Sequence, residues 1–152
     1  MEFNAPAVER IMAIDYGERR VGLALCDPLR IFAYPFKTIL NDQNFRTNLL
    51  SIIKENSVSL ILLGYPLKEN GMKTDITETV EKFKTELEGL TKLPVLLRDE
   101  RYTSAIAKER IIESVTSKKK RRDKGLLDKN AASIILQDYL DEKPKNGPKS
   151  LP

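Results

Sequence analysis

Acidic residues at the ends of apolar runs are the clearest chemical signal in this chain. Asp15 ends the run Arg10-Ile-Met-Ala-Ile-Asp15, Asp99 and Glu100 end Pro94-Val-Leu-Leu-Arg-Asp99-Glu100, and Asp128 opens a segment rich in Ala and Ile. In an open α/β sheet, ligands gather at the carboxyl ends of the parallel strands. If the first and last strands lie near one another, these acids can converge. Converging carboxylates repel, so such a cluster needs a cation or raised pKa values. Mg²⁺ and Mn²⁺ prefer oxygen ligands and would satisfy it. Such ions activate water and steady the leaving oxygen of a phosphodiester. Each acid also has a plainer reading. Asp15-Tyr-Gly17 fits a turn, since Asp starts turns and Gly supplies positive φ. Asp128 fits a helix cap, and Asp99 and Glu100 fit surface acids paired with Arg98 and Arg101.

The absence of histidine narrows the chemistry further. It removes Ser-His-Asp and Cys-His catalysis and every zinc site that uses histidine. Hydrolysis would rest on carboxylates, lysines or a metal held by oxygen. The single cysteine, Cys26, lies in the apolar run Val21-Gly-Leu-Ala-Leu-Cys26 and reads as a buried structural thiol. With no partner cysteine there is no internal disulfide, which fits a reducing cytoplasm. No apolar run approaches the ~20 residues that span a bilayer. Met1 to Arg10 lacks the apolar block of a signal peptide. The expected setting is therefore cytoplasmic, without membrane attachment.

The elements that would position these acids follow from hydrophobic periodicity. Runs at 10–15, 20–26 and 32–40, joined by short connections, predict an antiparallel meander. Pro35 suits an edge strand or a bulge in the third. Phe45, Leu49, Ile52 and Ile53 have helical spacing within 41–55, with Asn41 or Asp42 as the N-cap. Ser59-Leu-Ile-Leu-Leu63 reads as a buried parallel strand, closed by Gly64-Tyr-Pro66. Helices are predicted over 74–90, 103–115 and 127–140, with a strand at 94–99. Strands followed by alternating helix and strand give an α/β domain with a mixed sheet. Its 152 residues, 41% of them hydrophobic, suit one domain with one core over 1–141. The tail from 142 to 152 is rich in proline and lysine and is expected to be disordered.

Four stretches in order resemble one known family. Asp15-Tyr-Gly-Glu-Arg-Arg-Val-Gly-Leu-Ala24 is similar to the opening motif of the YqgF (RuvX) family. Gly64-Tyr-Pro-Leu67 with Asn70-Gly71 is similar to its second motif, and Asp99-Glu-Arg-Tyr-Thr-Ser-Ala105 to its third. Asp128-Lys-Asn-Ala-Ala-Ser-Ile-Ile-Leu-Gln137 is similar to its last. Tyr102, Ser104 and Asn130 depart from the family's usual residues without touching a predicted ligand. The family comprises Holliday junction resolvases and pre-16S ribosomal RNA nucleases. The resemblance implies a ribonuclease H-like fold: a mixed five-stranded sheet, meander first and parallel strands after, flanked by helices. It implies that Asp15, Glu100 and Asp128 are the catalytic acids that hold divalent Mg²⁺ or Mn²⁺. It places Arg20, Arg101 and Thr103 close to the site. The implied activity is phosphodiester endonucleolysis of structured RNA, such as precursor ribosomal RNA, or of branched DNA.

The residues make mechanical sense beside that resemblance. Arg20 and Arg101 could grip a phosphate through paired N–H bonds, or form salt bridges to nearby acids. Gly17 and Gly22 could let the backbone approach a phosphate, or only shape a hairpin. Lys118, Lys119, Lys120, Arg121 and Arg122 form a dense basic run shortly before Asp128. Backbone phosphates are its natural target, a solvated loop the plainer reading. The net charge of +4 permits a polyanionic partner without demanding one. No dimer face reads from the pattern, so a monomer or weak homodimer is expected. Two alternatives remain: a non-catalytic nucleic-acid-binding module of the same fold, and a nucleotide-binding kinase-type domain.

Overall fold

The first apolar run forms β1, Arg10–Tyr16, and becomes the middle of the sheet because both of its faces are apolar. Ile11 and Ala13 face one side; Met12 and Ile14 face the other, and all four are fully buried. A run that is apolar on both faces is what an interior strand requires. The structure, a computed structural model, describes residues 9–100 and 124–142, except for the side chains of 124–129. The predicted helix at 103–115, the basic run at 118–122 and the tail beyond 142 lie outside the described residues.

Five strands form one sheet in the order β3-β2-β1-β4-β5. β2, Arg20–Cys26, pairs antiparallel with β1, and β3, Ala33–Leu40, pairs antiparallel with β2. β4, Val58–Tyr65, and β5, Val95–Asp99, run parallel to β1. This is the expected mixed sheet. β3 forms an edge, and its register shifts where Leu23 pairs with Lys37 and Ala24 with Pro35. Proline there removes a ladder donor at little cost, because β3 is an edge strand among the described residues.

Helices cover both faces. α1, Phe45–Glu55, and α2, Asp75–Thr91, bury Phe45, Leu49, Ile52, Ile53, Val80, Phe83 and Leu87 on the face carrying Met12 and Ile14. α3, Lys124–Glu142, packs Ala132, Ile135, Leu136, Tyr139 and Leu140 on the face carrying Ile11, Ala13, Ala24 and Leu62. Cys26 lies in this second cluster and accepts a hydrogen bond from the backbone N–H of Ile11 at 3.2 Å. That is the structural role expected of it. Among the described residues no helix is long and apolar enough to cross a membrane.

Local signals explain where the helices begin. α2 starts at the N-cap Thr74, which forms a reciprocal capping box with Thr77. Thr77 is fully buried, and its hydroxyl also donates to the carbonyl of Pro66 just past β4. α1 starts later than its expected cap. Its N-cap is Asn44, whose side chain makes no capping bond. Asp42 forms a turn just before it, its carboxylate accepting from Asn44 N–H at 2.9 Å. Asn41 is used elsewhere. Its backbone N–H donates to Arg19 and its side chain to Gly17 O, both at 2.8 Å. In α3, Lys124 to Leu126, ahead of the expected start at 127, are already helical. The lysines and Gly125 before the apolar stretch mask that first turn, since glycine reads as a breaker.

Candidate active site

Because β1, β4 and β5 run parallel, their carboxyl ends lie at one edge of the sheet. Asp15 follows Ile14, which is paired with Leu63 of β4; Gly64 comes next and is paired with Arg98 of β5. Side chains alternate between faces along a strand. Asp15 therefore shares the α3 face with Ile11 and Ala13, Gly64 shares it with Leu62, and Glu100 with Leu96. The register and this alternation thus put both acids on the same side of the sheet, with β4 between their strands.

The structure joins them. The Asp15 and Glu100 side chains share a hydrogen bond. Glu100 reaches across Gly64, where an added Cβ would stand 2.2 Å from its Oε2. The Glu100 backbone N–H donates to Tyr65 O at 3.3 Å, which extends the β5 pairing by one residue. Burial pushes the Glu100 carboxyl above its ordinary range; the bond with Asp15 pulls it back, and the charge of Asp99 pushes it further up. Two carboxyl groups in contact need a proton between them or a cation beside them.

Neighbouring residues fix the end of β1. Tyr16 stacks on Phe83 at 4.6 Å between ring centroids and meets Phe45 edge-on at 6.1 Å. Beyond it the chain turns at Gly17, where a Cβ would lie 2.5 Å from the carbonyl oxygen of Arg20. Gly17 therefore allows the tight β1–β2 hairpin, the second of its two sequence readings. Gly22 stands opposite Asp15 in the β1–β2 register. Arg20 opens β2 two residues before Gly22, on the same face by alternation, with its Nε buried.

The remaining expected residues divide into two groups. Asp99 ends β5 and is exposed. Arg98 bonds to Glu142 at 2.6 Å and lies 5.5 Å from the centre of the Tyr139 ring. An open cleft of about 580 Å³ between Arg98 and the far half of α3 includes neither Asp15 nor Glu100 in its lining. The convergence of acids, rather than that cleft, marks the candidate site. Asp128 lies in α3, four residues before Ala132 and seven before Ile135, both of which pack on the sheet. Its side chain, with Arg101, Thr103 and Lys118 to Arg122, lies outside the described residues.

Among the described residues no three acids or thiols form a metal-binding group. Asp15 and Glu100 nonetheless supply the hard oxygen donors that Mg²⁺ and Mn²⁺ prefer, and a cation would relieve their mutual repulsion. The donor chemistry fits. Sequence reasoning missed two supporting residues. Gly64, read as closing the β4 run and as opening the second family motif, clears the way for Glu100. Asn41, read as a cap, holds the β1–β2 turn through Gly17 and Arg19. A glycine inside an apolar strand is itself a signal of close approach; the role of Asn41 leaves no trace in the pattern.

The chain is similar to several known proteins. A protein of Endomicrobium trichonymphae named "Putative pre-16S rRNA nuclease" is 42% identical over 137 residues, covering 88% of this chain and 96% of that one. A protein of the same name from Chlorobium chlorochromatii is 39% identical over 140 residues, covering 91% and 99%. Among solved structures, the fowlpox virus resolvase in complex with Holliday junction DNA superposes with a TM-score of 0.57 at 12% identity, covering 87% of this chain and 97% of that one. RuvC of T. thermophilus with a Holliday junction substrate gives 0.51 at 13% identity, covering 87% and 93%. At such identities the likeness shows the fold alone, and the fold is ribonuclease H-like. Residues 9–142 match the family described as RuvX: Holliday junction resolvase. The chain belongs to the RuvX family.

Proposed function

We propose that this protein is a metal-dependent endonuclease of structured nucleic acid, with precursor 16S ribosomal RNA as the favoured substrate and branched DNA as the other. The observation that carries this reading is the meeting of Asp15 and Glu100 across β4. The RNA is favoured because relatives near 40% identity carry that name; the family description carries the junction.

In this reading Asp15, Glu100 and Asp128 hold Mg²⁺ or Mn²⁺. A cation bound there supplies Lewis acidity and a water of lowered pKa for hydrolysis. The chain's own residues do the rest. Tyr16, stacked on Phe83 and edge-on to Phe45, fixes the strand end and so the direction of Asp15. Arg20 and Arg101 hold a phosphate beside the acids, and Thr103 contacts the same region. Lys118, Lys119, Lys120, Arg121 and Arg122 bind the backbone of the nucleic acid, an attraction that weakens steeply with salt. Asp128 precedes Ile135 by two helical turns on a helix whose sheet-facing residues pack under the site, which supports its place as third acid.

The test is cleavage of a pre-16S RNA fragment and of a four-way DNA junction, each with Mn²⁺, by the native chain and by Asp15→Asn. Metal-dependent cleavage of either substrate, lost in the variant, supports the assignment. Binding without cleavage of either would make the protein a nucleic-acid-binding module of this fold.

A further inference from the structure

We infer that Gly64 is a positioning residue for the acid pair: its missing side chain opens the path across β4 by which Glu100 reaches Asp15. The catalytic consequence rests on the nuclease reading above; the geometry does not.

Neighbouring strands lie ~4.8 Å apart, so β1 and β5, with β4 between them, stand about two such intervals apart. An aspartate on one and a glutamate on the other can close that gap only by reaching over the backbone between them. Any side chain at that point on the same face of β4 would stand in the way. A Cβ on Gly64 would lie 2.2 Å from Glu100 Oε2 and 3.1 Å from Glu100 Cδ. The first is a contact that real Cβ atoms essentially never make, and the second is tighter than nearly all of them. The third neighbour, Ile135 Cδ1 at 3.0 Å, is the end of a flexible side chain and can move aside. The Glu100 carboxyl cannot do so without giving up its bond to Asp15.

No backbone requirement explains the glycine instead. Gly71 is the glycine with positive φ among the described residues; Gly64 adopts ordinary strand conformation within the ladder to Arg98. In a strand interior glycine is worse than alanine by roughly 0.5–1 kcal/mol. The neighbours Ile61, Leu62 and Leu63 are the apolar residues expected there. What distinguishes position 64 is the carboxyl lying over it. The same geometry accounts for glutamate rather than aspartate at 100, since the extra methylene supplies the reach across β4.

A double-mutant cycle tests this with Gly64→Ala, Glu100→Ala and the two combined, reading Mn²⁺ affinity by calorimetry and stability by urea denaturation. In the native background Gly64→Ala is expected to weaken Mn²⁺ binding by about 10-fold or more, the scale seen when a residue supporting a metal ligand is lost. In the Glu100→Ala background it should change affinity little, and it should lower the urea midpoint less than it does in the native chain. A glycine needed only for strand packing would give equal effects in both backgrounds, and that result, or native Mn²⁺ affinity in Gly64→Ala, overturns the inference. If the native chain binds no Mn²⁺, the metal reading fails separately. The urea cycle then decides alone, with a smaller loss in the Glu100→Ala background supporting the inference and an equal loss overturning it.

Discussion

The carboxyl groups of Asp15 and Glu100 are hydrogen-bonded to one another although a whole strand, β4, runs between the strands that carry them. Two acids in contact cannot both be ionised without a large repulsion. The metal-free pair is expected to keep a proton, which a bound divalent cation would replace. Removing the charge of either acid, by Asp15→Asn or Glu100→Gln, is expected to lower Mn²⁺-dependent cleavage by more than about 100-fold, the scale of losing a contact to developing charge. The far-UV circular dichroism should stay native, because neither carboxyl is part of the apolar clusters.

The pH dependence has a definite sign. Burial raises the Glu100 carboxyl above its usual value of 4.5. A carboxyl raised in the folded state favours folding while it is protonated, and that stability is lost as pH rises through the raised value. The metal-free protein should therefore lose stability through this group as pH rises above the ordinary carboxylate range. Glu100→Gln should be more stable than the native chain near neutral pH and equal to it near pH 4. Urea denaturation at both pH values checks this. A site that stabilises its own metal-free state poorly is the pattern expected of function rather than of folding.

Glu100→Asp keeps the charge and removes one methylene. If reach across β4 is what joins the pair, this variant should lose most metal affinity while keeping native stability within about 1 kcal/mol, as for a mild change at a half-buried position. Calorimetric titration with Mn²⁺ measures it. Affinity equal to the native chain would mean that charge alone matters at this position.

Thr77→Ala should cost about 1–2 kcal/mol, the usual worth of a helix cap. The side chain serves both the α2 capping box and the carbonyl of Pro66. Since Pro66 follows directly on β4, this loss should also loosen the loop after the strand that bears Gly64. Thermal denaturation gives the first effect, and faster amide exchange of Lys68 and Gly71, whose N–H groups bond within that loop, gives the second.

The sheet was legible in the sequence because its strands differ in kind. β1 and β4 are continuous apolar runs and proved to be interior strands; β3 carries Pro35 and proved to be an edge. The α2 helix was legible from the periodicity over 74–90, whereas the α1 start was misread. Asn41 and Asp42 are good capping residues by type, but tertiary contacts with Gly17 and Arg19 claim the first and a local turn claims the second. Asp15 and Glu100 were legible as acids at strand ends. Their contact was not, because it depends on strand order and on an empty position in β4, neither of which leaves a periodic signal.

The central claim is that Asp15 and Glu100 act together as one cation site. It is tested most directly by titrating the native chain, Asp15→Asn and Glu100→Gln with Mn²⁺ in two buffers of different ionisation enthalpy. The expected result is binding with proton release by the native chain and loss of both in each variant. Undiminished Mn²⁺ binding by Asp15→Asn, or no binding by the native chain, would contradict it.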